Sequence, residues 1–331
     1  MMNMLPFDDF RNLLNQLPDG DEQADARVRT LFAKAQKPAH SLGRIENIAA
    51  WLATWSGRAP PAINRPLLAI FAGNHGVATS HKISPRTQSA TAQEVEMTAA
   101  GGAAINQICL AYDLGLKAFD LALHLPTEDI TRDAALDERG CAATIAFGME
   151  AIADGTDLLC IGDLGVGNST IAAVISAALF GGTGADWVGP GSGANAQMIA
   201  AKAAAVDEAL AFHAGNLKDP LEVLRRVGGR EFAAIAGAII AARMEKIPVI
   251  IDGFAATASA AVLYAMNPSA LDHCLLAQVS PEPGHAKLVA KLGLNPVLDL
   301  GMSHAEGVGA GLAAGLVKAA ALCSSGMAKA V

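Results

Sequence analysis

The residue best placed to do chemistry is Glu306, which opens Glu306-Gly-Val-Gly309 just beyond the apolar segment Val297-Leu-Asp-Leu300. A carboxylate past the carboxyl end of a buried strand lies where open α/β sheets collect their ligands. There it can serve as general base toward a weakly acidic N–H. A local reading competes for the same side chain. Ser303-His-Ala-Glu306 fits the S-x-x-E capping box, with the glutamate folded back onto the Ser303 amide. Taken alone, the segment favours the cap, which the helix dipole would also support.

Two glycine-rich loops could hold an anion beside such a base. Residues 162–170, Gly-Asp-Leu-Gly-Val-Gly-Asn-Ser-Thr, follow a strand and open a helix. Backbone amides and the helix dipole bind phosphate in that setting. The spacing meets neither the dinucleotide nor the Walker fingerprint, and an ordinary turn capped by Asn168, Ser169 or Thr170 stands equally. Val188-Gly-Pro-Gly-Ser-Gly193 with Lys202 offers further amides and one ammonium, although in isolation it reads as a surface loop and a solvated lysine. His75 and His285 each follow a strand end and read as structural hydrogen-bonders. Asp252 and Asp299 end buried strands, where a carboxylate commonly caps a loop.

These groups need a sheet to position them. Unbroken apolar runs, the mark of strands covered on both faces, occur at residues 67–71, 157–161, 248–252 and 274–279, and 117–123 and 297–300 complete six expected strands. Helical spacing of apolar residues fills the intervals. It covers 90–111 with a break at Gly101-Gly102, a stretch after 170, a helix bearing Lys202 in its first turns, and a small-residue helix over 306–323. Such alternation predicts an α/β fold with a mainly parallel sheet and helices on both faces. The first sixty or so residues carry no strand. Residues 8–35 and 41–55 read as helices of a separate lobe, with Ser41 as N-cap.

A chain of 331 residues leads to the expectation of one large domain plus a smaller one. Its composition, 52% hydrophobic but only 5% aromatic with 33 glycines, suits closely packed helices on a sheet. Mean hydropathy is +0.33, yet the apolar runs are too short or too interrupted for a bilayer span, so no membrane association is expected. The start, Met1 to Phe10, lacks a basic region followed by an apolar stretch, so no secretory signal is expected. Five cysteines (Cys109, Cys141, Cys160, Cys274, Cys323) show no CxxC or other metal spacing, which implies reduced thiols, a cytoplasmic location and no metal. A net charge of −8 without a basic stripe argues against nucleic acid. An anionic substrate would then depend on local donors.

The loops taken together resemble the nicotinate-nucleotide:5,6-dimethylbenzimidazole phosphoribosyltransferase family, which makes the lower-ligand nucleotide of cobalamin. The residues that carry the resemblance are Ser41-Leu-Gly-Arg-Ile-Glu46, Phe71-Ala-Gly-Asn-His-Gly-Val77, Gly101-Gly-Ala-Ala-Ile-Asn106, Gly165-Val-Gly-Asn-Ser-Thr170 and residues 219–229. Asp252-Gly-Phe-Ala-Ala-Thr-Ala-Ser259, Ser280-Pro-Glu-Pro-Gly-His285 and Glu306-Gly-Val-Gly309 follow in the family order. The resemblance implies a Rossmann-like domain, here residues 66–305, and a small helical domain from residues 1–65 with 306–331. It also implies a homodimer and no cofactor or metal. The implied reaction moves phosphoribose from nicotinate mononucleotide to a benzimidazole nitrogen.

By the same resemblance Glu306 is the base, with Asp163 in support. Gly165, Gly167, Asn168, Gly191, Ser192, Gly193 and Lys202 would hold the phosphate, with Gly253 and Ser280 on that side. Ser84, Gln93, Leu164 and the turn from Met302 to Glu306 would line the acceptor pocket. The chain departs from the family in having Asp163-Leu164 for glutamate-methionine and Val308 for threonine. Ser303-His-Ala305 also stands where arginine and glycine are usual. Two other readings stay open: the same chemistry on adenine or a phenol, and a non-catalytic nucleotide- or base-binding protein.

Overall fold

The computed structural model describes residues 6–329; residues 1–5 and 330–331, the outer ends of the N-terminal reading and of the expected helical domain, lie outside the described residues. Helices α1 (Asp8–Leu14), α2 (Glu22–Ala33) and α3 (Arg44–Ser56) precede strand β1 (Pro66–Ala72). Then come α4 (Gly76–Ser80), α5 (Ser89–Ala99), α6 (Ala104–Tyr112), β2 (Gly115–Asp120), α7 (Glu138–Met149), β3 (Leu158–Leu164) and α8 (Asn168–Phe180). The chain continues through α9 (Ala196–Phe212), α10 (Pro220–Val227), α11 (Arg230–Met244), β4 (Val249–Ile251) and α12 (Gly253–Met266). It ends with β5 (Cys274–Leu276), α13 (Pro283–Leu292) and α14 (Val308–Gly326).

All five strands are parallel, in the order β2-β1-β3-β4-β5. Successive strand side chains point to opposite faces, so each strand feeds two cores. From β1, Ala69 and Phe71 join Ile145, Ile171, Val174, Ile239 and Val262 of α7, α8, α11 and α12. Leu68, Ile70 and Ala72 join Val28, Leu52, Ile105 and Val317 of α2, α3, α6 and α14 on the other face. Helices therefore cover both faces, as the unbroken apolar runs predict. The residues expected to form one helix over 8–35 divide into two. Of these, α1 reaches across to the first core through Phe10 and Leu14, while α2 packs with α3 and α14. Among the described residues one helix, α14, is long and apolar enough to cross a membrane, and it packs against α3, α6 and the sheet.

Two expectations about element ends are corrected. The sixth strand does not form. Pro296 makes a single bridge to Leu276, and the Val297 and Leu298 N–H groups donate to Leu276 and Ala277 carbonyls. Proline brings no donor of its own, and the chain then leaves the sheet edge with Leu300 60% exposed. At the other correction, α3 starts from Gly43 in the N-cap position rather than Ser41, whose residue lies in the preceding turn.

Candidate active site

A cleft of about 550 Å³ opens at the carboxyl ends of β3, β4 and β5, with residues 83–86 of the segment that follows β1 on its wall. From β1 the chain steps outward to β2 on one side and to β3 on the other, and this reversal is where open α/β sheets leave a crevice for ligand. Strand β3 runs further than its apolar core suggests, because Gly162, Asp163 and Leu164 continue the pairing with Ile70, Phe71 and Ala72. Asp163 and Leu164 are therefore strand residues, and the glycine turn shortens to residues 165–167. Gly167 enters α8 with φ +101°, a conformation that suits glycine.

The side chains around this turn form a connected set. Asn168 Nδ2 donates to Asp163 Oδ2 at 2.8 Å, and Asn168 Oδ1 faces His75 Nε2 at 2.9 Å. His75 in turn lies 2.6 Å from Glu231, both side chains being wholly enclosed. Burial opposes a charge on His75, but the Glu231 carboxylate outweighs it and raises the imidazole pKa. For Asp163, burial and the nearby Glu231 and Asp252 carboxylates outweigh the Asn168 hydrogen bond and lift its pKa to about 7.

Lys202 is not a solvated lysine. It is 3% exposed, and Nζ donates to Ser169 Oγ at 3.0 Å and to the Gly189 carbonyl at 2.9 Å. Burial lowers its pKa, with Glu282 acting in the opposite sense. Gly191, Ser192, Gly193, Gly165, Gly167, Asn168, Gly253 and Ser280 line the cleft together with it. The N-termini of α8 and α12 open onto the same space, a favourable setting for an anion. His285 ties two of the loops: its Nδ1 accepts from the Ser280 N–H at 3.0 Å, and its Nε2 meets Thr257 Oγ1 at 3.0 Å. A backbone N–H can only donate, so Nδ1 is unprotonated and the ring is neutral; burial accordingly depresses its pKa to about 4. The reading of His285 as structural is borne out.

Glu306 stands opposite, and the capping box does not form. Helix α14 starts two residues later, at Val308, and its cap comes from Asp252, whose Oδ2 accepts from the Gly309 N–H at 2.7 Å. Burial lifts the Asp252 pKa to about 6, against the pull of the α14 amides. Glu306 itself has φ +72°, a left-handed conformation that costs a non-glycine residue on the order of 1 kcal/mol. Packing holds it there. The Glu306 N–H donates to the Asp163 carbonyl at 3.3 Å, and Gly162 lets the Glu306–Gly307 peptide lie directly on the strand. A Cβ at Gly162 would fall 2.4 Å from the Gly307 nitrogen.

The Glu306 side chain, although it lines the cleft, is 1% exposed. Oε2 lies 3.4 Å from the Ile105 N–H in the first turn of α6 and 3.4 Å from His304 Nε2. These two contacts fix the carboxylate at the N-terminus of α6, with its face turned to the cleft.

Ser84 and Leu164 line the cleft on this side; Gln93 and Met302 do not. On α5, Thr91 faces inward and hydrogen-bonds Asn74 Oδ1 at 2.8 Å, so Glu94, one turn on, shares its face. Gln93 is two residues from Thr91 and projects into solvent. Glu94 reaches the cleft instead, paired with Arg86 at 2.6 Å. Met302 precedes the residues that form the inner wall, Ser303, His304 and Ala305. Sequence reasoning missed Glu94, Gln278 and Glu282, which also line the cleft, and Glu231 behind it. Glu282 carried one usable signal: it directly precedes Pro283, which starts α13, a proline position that marks a helix N-terminus. Among the described residues no group of three or more His, Cys, Asp or Glu is arranged to hold a metal ion.

A family model described as a phosphoribosyltransferase matches residues 17–331, and the parallel sheet with its glycine turn and carboxyl-end cleft agrees with it. More narrowly, the chain belongs to the nicotinate-nucleotide–dimethylbenzimidazole phosphoribosyltransferase family. It is 66% identical over 324 residues to the protein of that name from Brucella melitensis biotype 2, covering 98% of this chain and 95% of that one. The Brucella canis protein of the same name is 65% identical over the same length and coverage. The crystal structure of CobT from Thermus thermophilus is similar with a TM-score of 0.85 at 35% identity, covering 93% of this chain and 97% of that one.

Proposed function

We propose that the chain transfers the phosphoribosyl group of nicotinate mononucleotide to 5,6-dimethylbenzimidazole, releasing nicotinate and forming the nucleotide used in cobalamin assembly. The observation that carries this reading is the placement of Glu306. It is a buried carboxylate held at strained backbone angles across the cleft from a loop set suited to phosphate. Relatives at 65–66% identity along nearly the whole chain bear the name of that reaction.

Nicotinate leaves from a cationic pyridinium and needs little acid assistance. The acceptor imidazole attacks C1′ with one nitrogen and loses a proton from the other; Glu306 receives that proton. The α8 turn, the 191–193 loop and Lys202 hold the phosphate and so fix C1′ in line with the acceptor. Asp163, whose raised pKa leaves it only partly ionised near pH 7, accepts from the Asn168 amide and so positions the α8 turn against the donor. Ser84, Leu164 and Glu94 border the acceptor. The enzyme acts in the cytoplasm with all five thiols unpaired. It works as a homodimer, in which Leu110 and Leu322, exposed on the adjacent helices α6 and α14, give a partner subunit apolar surface to cover. In the proposed small helical domain, residues 1–65 with 306–331, helices α2, α3 and α14 pack over one sheet face while α1 packs on the other.

The test is chromatographic. Purified protein incubated with nicotinate mononucleotide and dimethylbenzimidazole releases nicotinate and forms the benzimidazole nucleotide in equal amounts; binding without release contradicts the proposal. Adenine and a phenol added in competition establish which acceptor the cleft prefers.

A further inference from the structure

We propose that Glu282 occupies the seat of the donor phosphate in the empty enzyme, holding the Gly191 amide and yielding it only to an incoming phosphomonoester. The inference rests on the reading of this end of the cleft as the phosphate site.

Glu282 lies between Ser280 and α13, lines the cleft and is 8% exposed. Its Oε1 accepts a short hydrogen bond from the Gly191 N–H, one of the amides expected to serve the phosphate. Its Oε2 is enclosed without a hydrogen-bond partner, pressed so closely on the loop that a Cβ at Gly189 would lie 2.6 Å away. Lys202 grips the same stretch at its other end, donating to the Gly189 carbonyl and to Ser169. Two of the three ammonium donors are thereby used, and one remains for an anion.

An enclosed carboxylate with one oxygen unsatisfied is a poor permanent occupant. A phosphate dianion brings more charge and more acceptor oxygens to the same amide and can engage Lys202 as well. Two like-charged groups cannot share one amide at close range, so the carboxylate must swing into the open cleft as the phosphate arrives. A neutral or weakly charged donor cannot drive that exchange. Glu282 thus makes the site selective for a phosphorylated ribose while keeping the loop ordered when empty.

Calorimetric titration of inorganic phosphate into the wild type and three variants tests this. Glu282→Gln keeps an oxygen for the Gly191 amide but loses the charge, and its Kd for phosphate falls about tenfold below wild type. Nicotinate riboside, the donor without phosphate, binds both proteins equally. Glu282→Ala, which removes the loop contact too, also binds phosphate more tightly than wild type. Unchanged or weaker phosphate binding by Glu282→Gln overturns the proposal. Lys202→Ala separates this outcome from a failure of the underlying site: it weakens phosphate binding if the site is correctly placed. An unchanged Kd for that variant would mean the phosphate lies elsewhere, and would overturn both.

Discussion

Asp163 and Glu306 meet at the end of one strand but come from opposite faces of the sheet. Asp163 shares its side of β3 with α8 and α12, where the glycine turns, Lys202 and Ser280 converge. Gly162 and Leu164 face the other way, toward α14, and there the Glu306 peptide lies on the strand. The first half of the cleft is made mostly of backbone amides at helix N-termini, steadied by neutral His285 and buried Lys202. The second half depends on one glutamate at positive φ and on an exposed stretch, Gly301 and residues 303–305. The difference teaches that donor binding and base catalysis are separately supported, so damage on one face should leave the other function largely intact.

Apart from Glu306 itself, the largest effect of that separation is expected at Gly162. An alanine there would displace the Glu306–Gly307 peptide, and a shift of that size lowers kcat on the order of a hundredfold. Donor affinity should stay near wild type; steady-state kinetics with calorimetry checks both. Lys202→Ala breaks the opposite half, weakening nicotinate mononucleotide binding roughly tenfold to a hundredfold, while acceptor binding followed by fluorescence is unchanged.

A smaller effect concerns stability and pH. The Asp163 pKa, about 7 in the fold against 3.8 for an ordinary aspartate, means that the native state keeps a proton which the unfolded chain has lost between those values. Stability from this group therefore declines as pH rises from about 4 to 7. Asp163→Asn removes the decline, so its Tm relative to wild type should be higher at pH 8 than at pH 5, by a few degrees in scanning calorimetry. The smallest effect is at Ser303. Because Asp252 caps α14, Ser303→Ala should alter stability by less than about 0.5 kcal/mol in a urea titration; a loss near 1 kcal/mol would restore the capping box.

Sequence pattern carried the first half of the cleft further than the second. Unbroken apolar runs place β1, β3, β4 and β5 with little error, and glycines after a strand mark the α8 turn. Those signals are local, because strand burial and phosphate-loop geometry are properties of short segments. The cap of α14 is supplied by Asp252, 57 residues upstream, and nothing near Ser303 reveals that a remote carboxylate has taken the role. The same holds for Glu306, whose positive φ follows from a peptide docked on Gly162 and not from its neighbours in sequence. Gln93 and Glu94 differ only by helix phase, which Thr91 sets through its bond to Asn74. The absent sixth strand turned on Pro296, a residue that apolar pattern alone passes over.

The central claim is that Glu306 takes the acceptor proton while the other face holds the donor. Glu306→Gln measured in one preparation, for donor affinity by calorimetry and for nicotinate release with dimethylbenzimidazole, tests it most directly. The account predicts an unchanged Kd for nicotinate mononucleotide with kcat reduced on the order of a hundredfold to ten-thousandfold. Turnover near wild type would contradict it.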